Sequence, residues 1–125
     1  MDVISKFTNP GIGFLLTLVF GFWLARLGKP YNGLLFNIHK LIALGVVVIT
    51  VIQIYNLLKG SQWQAMLIVS IIVAVLGVVA LFASGAFMSI GNLNYRAMKI
   101  IHYIGPVVAV IGMVFTIYFL SGKNL

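Results

Sequence analysis

Charged residues mark out this chain at wide intervals, and the intervals are apolar. Between Lys6 and Lys123 the polar breaks gather at Gly28-Lys29-Pro30, Lys59-Gly60-Ser61-Gln62 and the Ser-, Gly- and Asn-rich stretch from Ser89 to Tyr95. A helix needs about 20 apolar residues to cross the roughly 30 Å hydrocarbon layer. The pattern predicts four such helices, at about 11–27, 34–58, 63–88 and 96–120. The first is entered through Asn9-Pro10, and Trp63 marks the interface where the third begins. Connections this short join antiparallel neighbours. The expectation is an all-α integral membrane protein, an up-down-up-down four-helix bundle forming a single domain over residues 1–125. Lys6 precedes the first stretch, but Trp23-Leu24-Ala25-Arg26 lacks a small-x-small cleavage pattern, so that stretch reads as a retained span rather than a signal peptide.

Composition sharpens this reading. The chain is 62% hydrophobic and 7% charged, where soluble domains carry roughly 25% charged residues. Asp2 is the sole acidic residue, against eight Lys and Arg, giving a formal charge of +7. These cations flank apolar spans, as membrane insertion requires; they form no basic face of a soluble domain, so nucleic acid is not an expected partner. Arg26, Lys29, Lys40, Arg96 and Lys99 flank the connections after spans one and three, and Lys6, Lys59 and Lys123 flank the other side. That bias puts the first group in the cytoplasm and both termini in the periplasm, in a prokaryotic inner membrane. With no cysteine, disulfides, thiolate chemistry, iron–sulfur clusters and covalent haem attachment are excluded.

The candidate chemistry lies in two histidines. His39 and His102 are the chain's only ones, each shortly after the start of an apolar stretch. The second and fourth spans of an up-down bundle run in the same direction, so the two imidazoles come to a similar depth. Polar residues within a span are costly and usually functional. Two imidazoles at one depth suit the two axial positions of a single non-covalent haem b, an arrangement for one-electron transfer rather than oxygen binding. Lys40, Arg96 and Lys99 lie at the same end and can pair with haem propionates. On the histidine faces, Ala43, Gly105 and Ala109 leave clearance for a flat macrocycle, and Pro106 denies the His102 carbonyl its helical donor. Helix–helix hydrogen bonding, or a proton or metal role, remains an alternative for the pair. Ordinary packing is an alternative for Gly105 and Pro106.

Weaker signals accompany these. Gln53 and Thr116 each follow a histidine by fourteen residues, and can bridge helices or line a quinone pocket. Ser84 and Ser89 end the third span at the histidine level and can hydrogen-bond an imidazole or a propionate. Trp23, Trp63, Tyr31, Tyr55 and Tyr95 read as interfacial belts, and Gly77, Gly85, Ala74 and Ala83 as a close helix contact. The two halves look weakly alike: Asn37-Ile38-His39-Lys40 and Ile100-Ile101-His102-Tyr103 fit an internal duplication or, equally, two independent solutions to one ligation problem.

The run His39-Lys40-Leu41-Ile42-Ala43-Leu44-Gly45, after Leu35-Phe36, resembles a ligand segment of bacterial cytochrome b561 proteins and related four-helix membrane cytochromes b, and His102 with Gly105-Pro106 is similar to a cytochrome b ligand helix. The resemblance implies a haem b protein. That family carries two haems on four histidines; two histidines here allow one such site. The expected role is electron transfer near the cytoplasmic face, with a quinone or a partner oxidoreductase and with homo-oligomers allowed. Two other classes stay open: a non-redox membrane subunit for assembly or transport with structural histidines, and a haem-handling protein. Intramembrane carboxylates, a phosphate-cradling loop and a Ser-His-Asp set are absent, so any enzymatic reaction belongs to the cofactor.

Overall fold

The computed structural model describes residues 3–28, 30–60, 62–90 and 94–122. Asp2, Lys29, Ser61 and Lys123, and positions 91–93 of the Ser89–Tyr95 stretch, lie outside the described residues. Among the described residues there are five helices and no strand: α1 (Val3–Lys6), α2 (Thr8–Leu27), α3 (Gly33–Leu58), α4 (Ala65–Ile90) and α5 (Tyr95–Leu120). α2 to α5 are each long and apolar enough to cross a membrane. At 1.5 Å per residue, the three 26-residue helices each extend about 39 Å.

The helix boundaries have local causes. α2 starts at Thr8, ahead of the expected Gly11, and takes Pro10 into its first turn. First-turn amides have no intrahelical partner, so the missing N–H of proline costs nothing there. Gly28 ends α2 in the left-handed region at φ 74°, its N–H bonding the Leu24 carbonyl. α3 and α5 begin alike. The Asn32 side chain accepts from the amides of Leu34 and Leu35 at 3.0 and 3.1 Å, and that of Asn94 from Arg96 and Ala97 at 3.0 and 3.2 Å. An asparagine at this position satisfies donors that would otherwise be orphaned. α4 runs from Ala65 to Ile90, two residues later at each end than the sequence pattern suggested.

The chain divides into two compact units, Met1–Gly60 and Ser61–Leu125. Each contains an antiparallel helical hairpin, α2 with α3 and α4 with α5. In the second hairpin the backbones nearly touch. A Cβ built on Gly77 would lie 2.6 Å from the Ala109 nitrogen, and one on Gly112 would lie 2.5 Å from the Ala74 nitrogen. In lipid there is no hydrophobic drive to pair two helices, so small residues that permit close approach supply the attraction. In the first hairpin side chains enter glycine notches instead: a Cβ on Gly13 would meet Val46 Cγ2 at 2.6 Å.

Hydroxyls inside the helices are satisfied locally. Thr17 donates to the Gly13 carbonyl at 2.9 Å, Ser70 to Met66 at 2.8 Å and Thr116 to Gly112 at 2.8 Å. Among the described residues, no buried side-chain nitrogen or oxygen lacks a hydrogen-bond partner. That meets the strictest demand of a hydrocarbon solvent.

Candidate functional site

His39 lies six residues into α3 and His102 seven into α5, about 9 and 10 Å along their helices. Each ring is bound within its own hairpin. His39 Nδ1 is 2.8 Å from the carbonyl oxygen of Thr17 on α2. His102 Nδ1 is 3.0 Å from the carbonyl oxygen of Leu81 on α4. A carbonyl oxygen only accepts, so in both rings Nδ1 carries a proton and donates it. Histidines that ligate metals typically donate their other ring N–H in this way, to a carbonyl, carboxylate or water.

The second histidine has a further contact. Ser84 Oγ is 3.0 Å from His102 Nδ1 and donates to the Leu81 carbonyl at 3.1 Å. Ser84 is almost fully buried, at 1% exposure. Its hydroxyl, the Leu81 carbonyl and the imidazole N–H therefore form one small network. The expectation that Ser84 stands at the histidine level and can bond an imidazole is met. Ser89 bonds its own helix, at the Ala86 carbonyl.

Opposite each ring lies a glycine. A Cβ on Gly21 would fall 2.7 Å from His39 Cε1, and one on Gly85 would fall 3.1 Å from His102 Cε1. Helical side chains tilt toward the N-terminus. A side chain at Gly21 would therefore lean over the carbonyl four residues earlier, that of Thr17, which the imidazole must reach. The same relation holds for Gly85 and Leu81. In the sequence Gly85 reads only as part of a close helix contact, and Gly21 carries no mark of its role. The available signal was the four-residue spacing Gly13-Thr17-Gly21, matched by Gly77-Leu81-Gly85.

The remaining candidates divide. Lys40 Nζ lies 5.3 Å from the Phe36 ring centroid and Lys99 Nζ 5.8 Å from that of Tyr103, within cation–π range. Arg96 is exposed at the start of α5 and Ala43 is half-buried one turn beyond His39. The clearance expected for a macrocycle at Gly105 and Ala109 is taken up by α4. Both are buried; a Cβ on Gly105 would meet Leu81 Cγ at 2.9 Å, and Ala109 packs against Gly77. Their small size serves helix packing. Thr116, expected to bridge helices or line a quinone pocket, is fully buried and bonds the Gly112 carbonyl of its own helix. Ala83 is exposed and stands outside the close contact that Ala74 and Gly77 make. Trp23, Trp63 and Tyr55 are at least half exposed.

Among the described residues no group of three or more His, Cys, Asp or Glu is gathered to hold a metal ion. A haem asks less of the protein, one or two axial ligands, since the macrocycle supplies the other four.

Fold and site together define an all-α, multi-pass membrane protein with one carbonyl-bound histidine in each of two helical hairpins. Comparison with protein-family models, curated proteins and solved structures gives no match to the chain.

Proposed function

We propose that the chain is a membrane-embedded b-type haem protein, with His39 and His102 as the two protein ligands of one non-covalent haem. The observation that supports this most is the shared tautomer: both rings donate Nδ1–H to a neighbouring carbonyl, at 2.8 and 3.0 Å. Two imidazoles, each held by its Nδ1–H, are a donor set that haem iron takes, and the chain has no third histidine and no cysteine. When bound, such a haem supplies one-electron transfer. The protein's part is to fix ring orientation, to keep water from the ligands and to neutralise propionates with Lys40, Arg96 and Lys99. The cation bias favours the cytoplasmic end of an inner-membrane protein, with periplasmic termini, and a quinone or a redox partner as the exchange point.

The same two hydrogen bonds favour a second reading, in which the imidazoles only tie helices together inside a non-redox membrane subunit. Absorbance and electron paramagnetic resonance of protein expressed with ample haem separate the two. The haem reading expects a reducible low-spin haem b spectrum. His39→Ala and His102→Ala should each abolish it or convert it to high-spin. A colourless wild-type protein, or a low-spin spectrum unchanged in both variants, overturns the assignment.

A further inference from the structure

We propose that Gly21 and Gly85 are the positioning residues of the two histidines. Adding 64 to Gly13, Thr17 and Gly21 gives Gly77, Leu81 and Gly85; adding 63 to His39 and Val46 gives His102 and Ala109. Each pair of counterparts makes the same contact. Gly13 faces Val46 as Gly77 faces Ala109, and Gly21 faces His39 as Gly85 faces His102. The carbonyl that accepts Nδ1–H belongs in both hairpins to the middle residue of the Gly-x3-Xaa-x3-Gly row. The one-residue difference in offset falls at the connection: five residues separate Leu27 from Gly33, and four separate Ile90 from Tyr95. The same contacts thus recur in register in two hairpins whose other packing differs.

Physically, the glycine has two tasks. It vacates the space taken by the Cε1 edge of the ring, and it opens the carbonyl one turn earlier to a second donor. That oxygen has two lone pairs and can accept both its helical amide and an imidazole N–H. Any side chain at Gly21 pushes the ring off Thr17 and frees the tautomer. The approach is closer at Gly21 (2.7 Å) than at Gly85 (3.1 Å), so the two seats differ in tolerance. Each histidine is thus held by its own hairpin before any cofactor binds. As positioning for a metal ligand this rests on the haem reading; as positioning of the tautomer it does not.

The test uses the full-length apoprotein in lipid nanodiscs with 15N-labelled histidine. Two histidines give two sets of ring signals, and long-range 15N–1H correlation tells which nitrogen is protonated. The wild type should show both rings as the Nδ1–H form. Gly21→Ala should shift His39 toward the Nε2–H form and leave His102 alone. Gly85→Ala should do the converse to a smaller extent. Gly45→Ala, at a site with nothing within 4 Å, should change neither ring. If Gly21→Ala does not fold, Gly85→Ala with its looser seat carries the test. Rings that keep the Nδ1–H form in both glycine variants, or a wild type already in the Nε2–H form, overturn the proposal. A protein that binds no haem but loses the His39 tautomer in Gly21→Ala retires the haem reading and upholds the seats.

Discussion

The two hairpins hold their histidines in the same way but close around them differently. α4 and α5 meet backbone to backbone, with Gly77 on Ala109 and Gly112 on Ala74, and between them they bury five and six residues. α2 and α3 meet through side chains dropped into notches, Val46 at Gly13 and His39 at Gly21, and bury only Pro10, Leu24 and Leu35. The imidazole–carbonyl bond is common to a tight interface and to a looser one. It is therefore not a by-product of either packing mode.

This contrast predicts unequal sensitivity to one added methyl group, the largest effect expected. At Gly77 and Gly112 a Cβ meets main-chain atoms at 2.5 to 2.9 Å, and a helix must move to admit it. Alanine at either position should cost about 2–3 kcal/mol, the upper part of the overpacking range. At Gly13 the obstacle is one side-chain methyl, Val46 Cγ2 at 2.6 Å, rather than main chain, although this β-branched residue is held near one rotamer in its helix. Gly13→Ala should cost less, about 1 kcal/mol, and Val46→Ala should restore it. Unfolding titrations in mixed detergent micelles measure all three. Equal losses at Gly13 and Gly77 would remove the distinction between the hairpins.

The caps should respond alike, because they are built alike. Asn32 and Asn94 each accept two first-turn amides at 3.0 to 3.2 Å. Replacing either by alanine should cost about 1 kcal/mol. A much larger loss at one would mean that its cap also anchors something beyond its own helix.

The four spans were legible because each is a long apolar stretch and the charged residues gather toward the ends of these stretches. The histidines stood out for the same reason: a polar ring in such a stretch must be explained. Gly21 did not stand out. A glycine in a membrane helix is common, and its meaning depends on which residue of the antiparallel neighbour faces it, a register that apolar periodicity does not encode when α2 and α3 are hydrophobic all round. Gly105 and Ala109 misled in the opposite direction. Small residues on a histidine face look like room for a ligand until the neighbouring helix is known, and here α4 fills it. Pro10 shifted the start of α2 because a proline that blocks a helix interior is harmless in its first turn.

The smallest predicted effect concerns Gly45, where the hairpins again differ. Its counterpart in the second hairpin, 63 residues on, is Val108. A Cβ on Gly45 meets nothing within 4 Å, and the residue lies within α3. Glycine in a helix interior costs roughly 0.5–1 kcal/mol relative to alanine through backbone entropy. Gly45→Ala should therefore stabilise the protein by up to about that amount, seen as a small rise in the unfolding midpoint. The sign is informative. A gain is what an uncovered helix face gives, whether lipid or solvent lies beside it. A loss of 1 kcal/mol or more would mean that another surface comes within van der Waals reach of Gly45 in the assembled membrane protein, and that the small residue is kept there, as at Gly77, to let it approach.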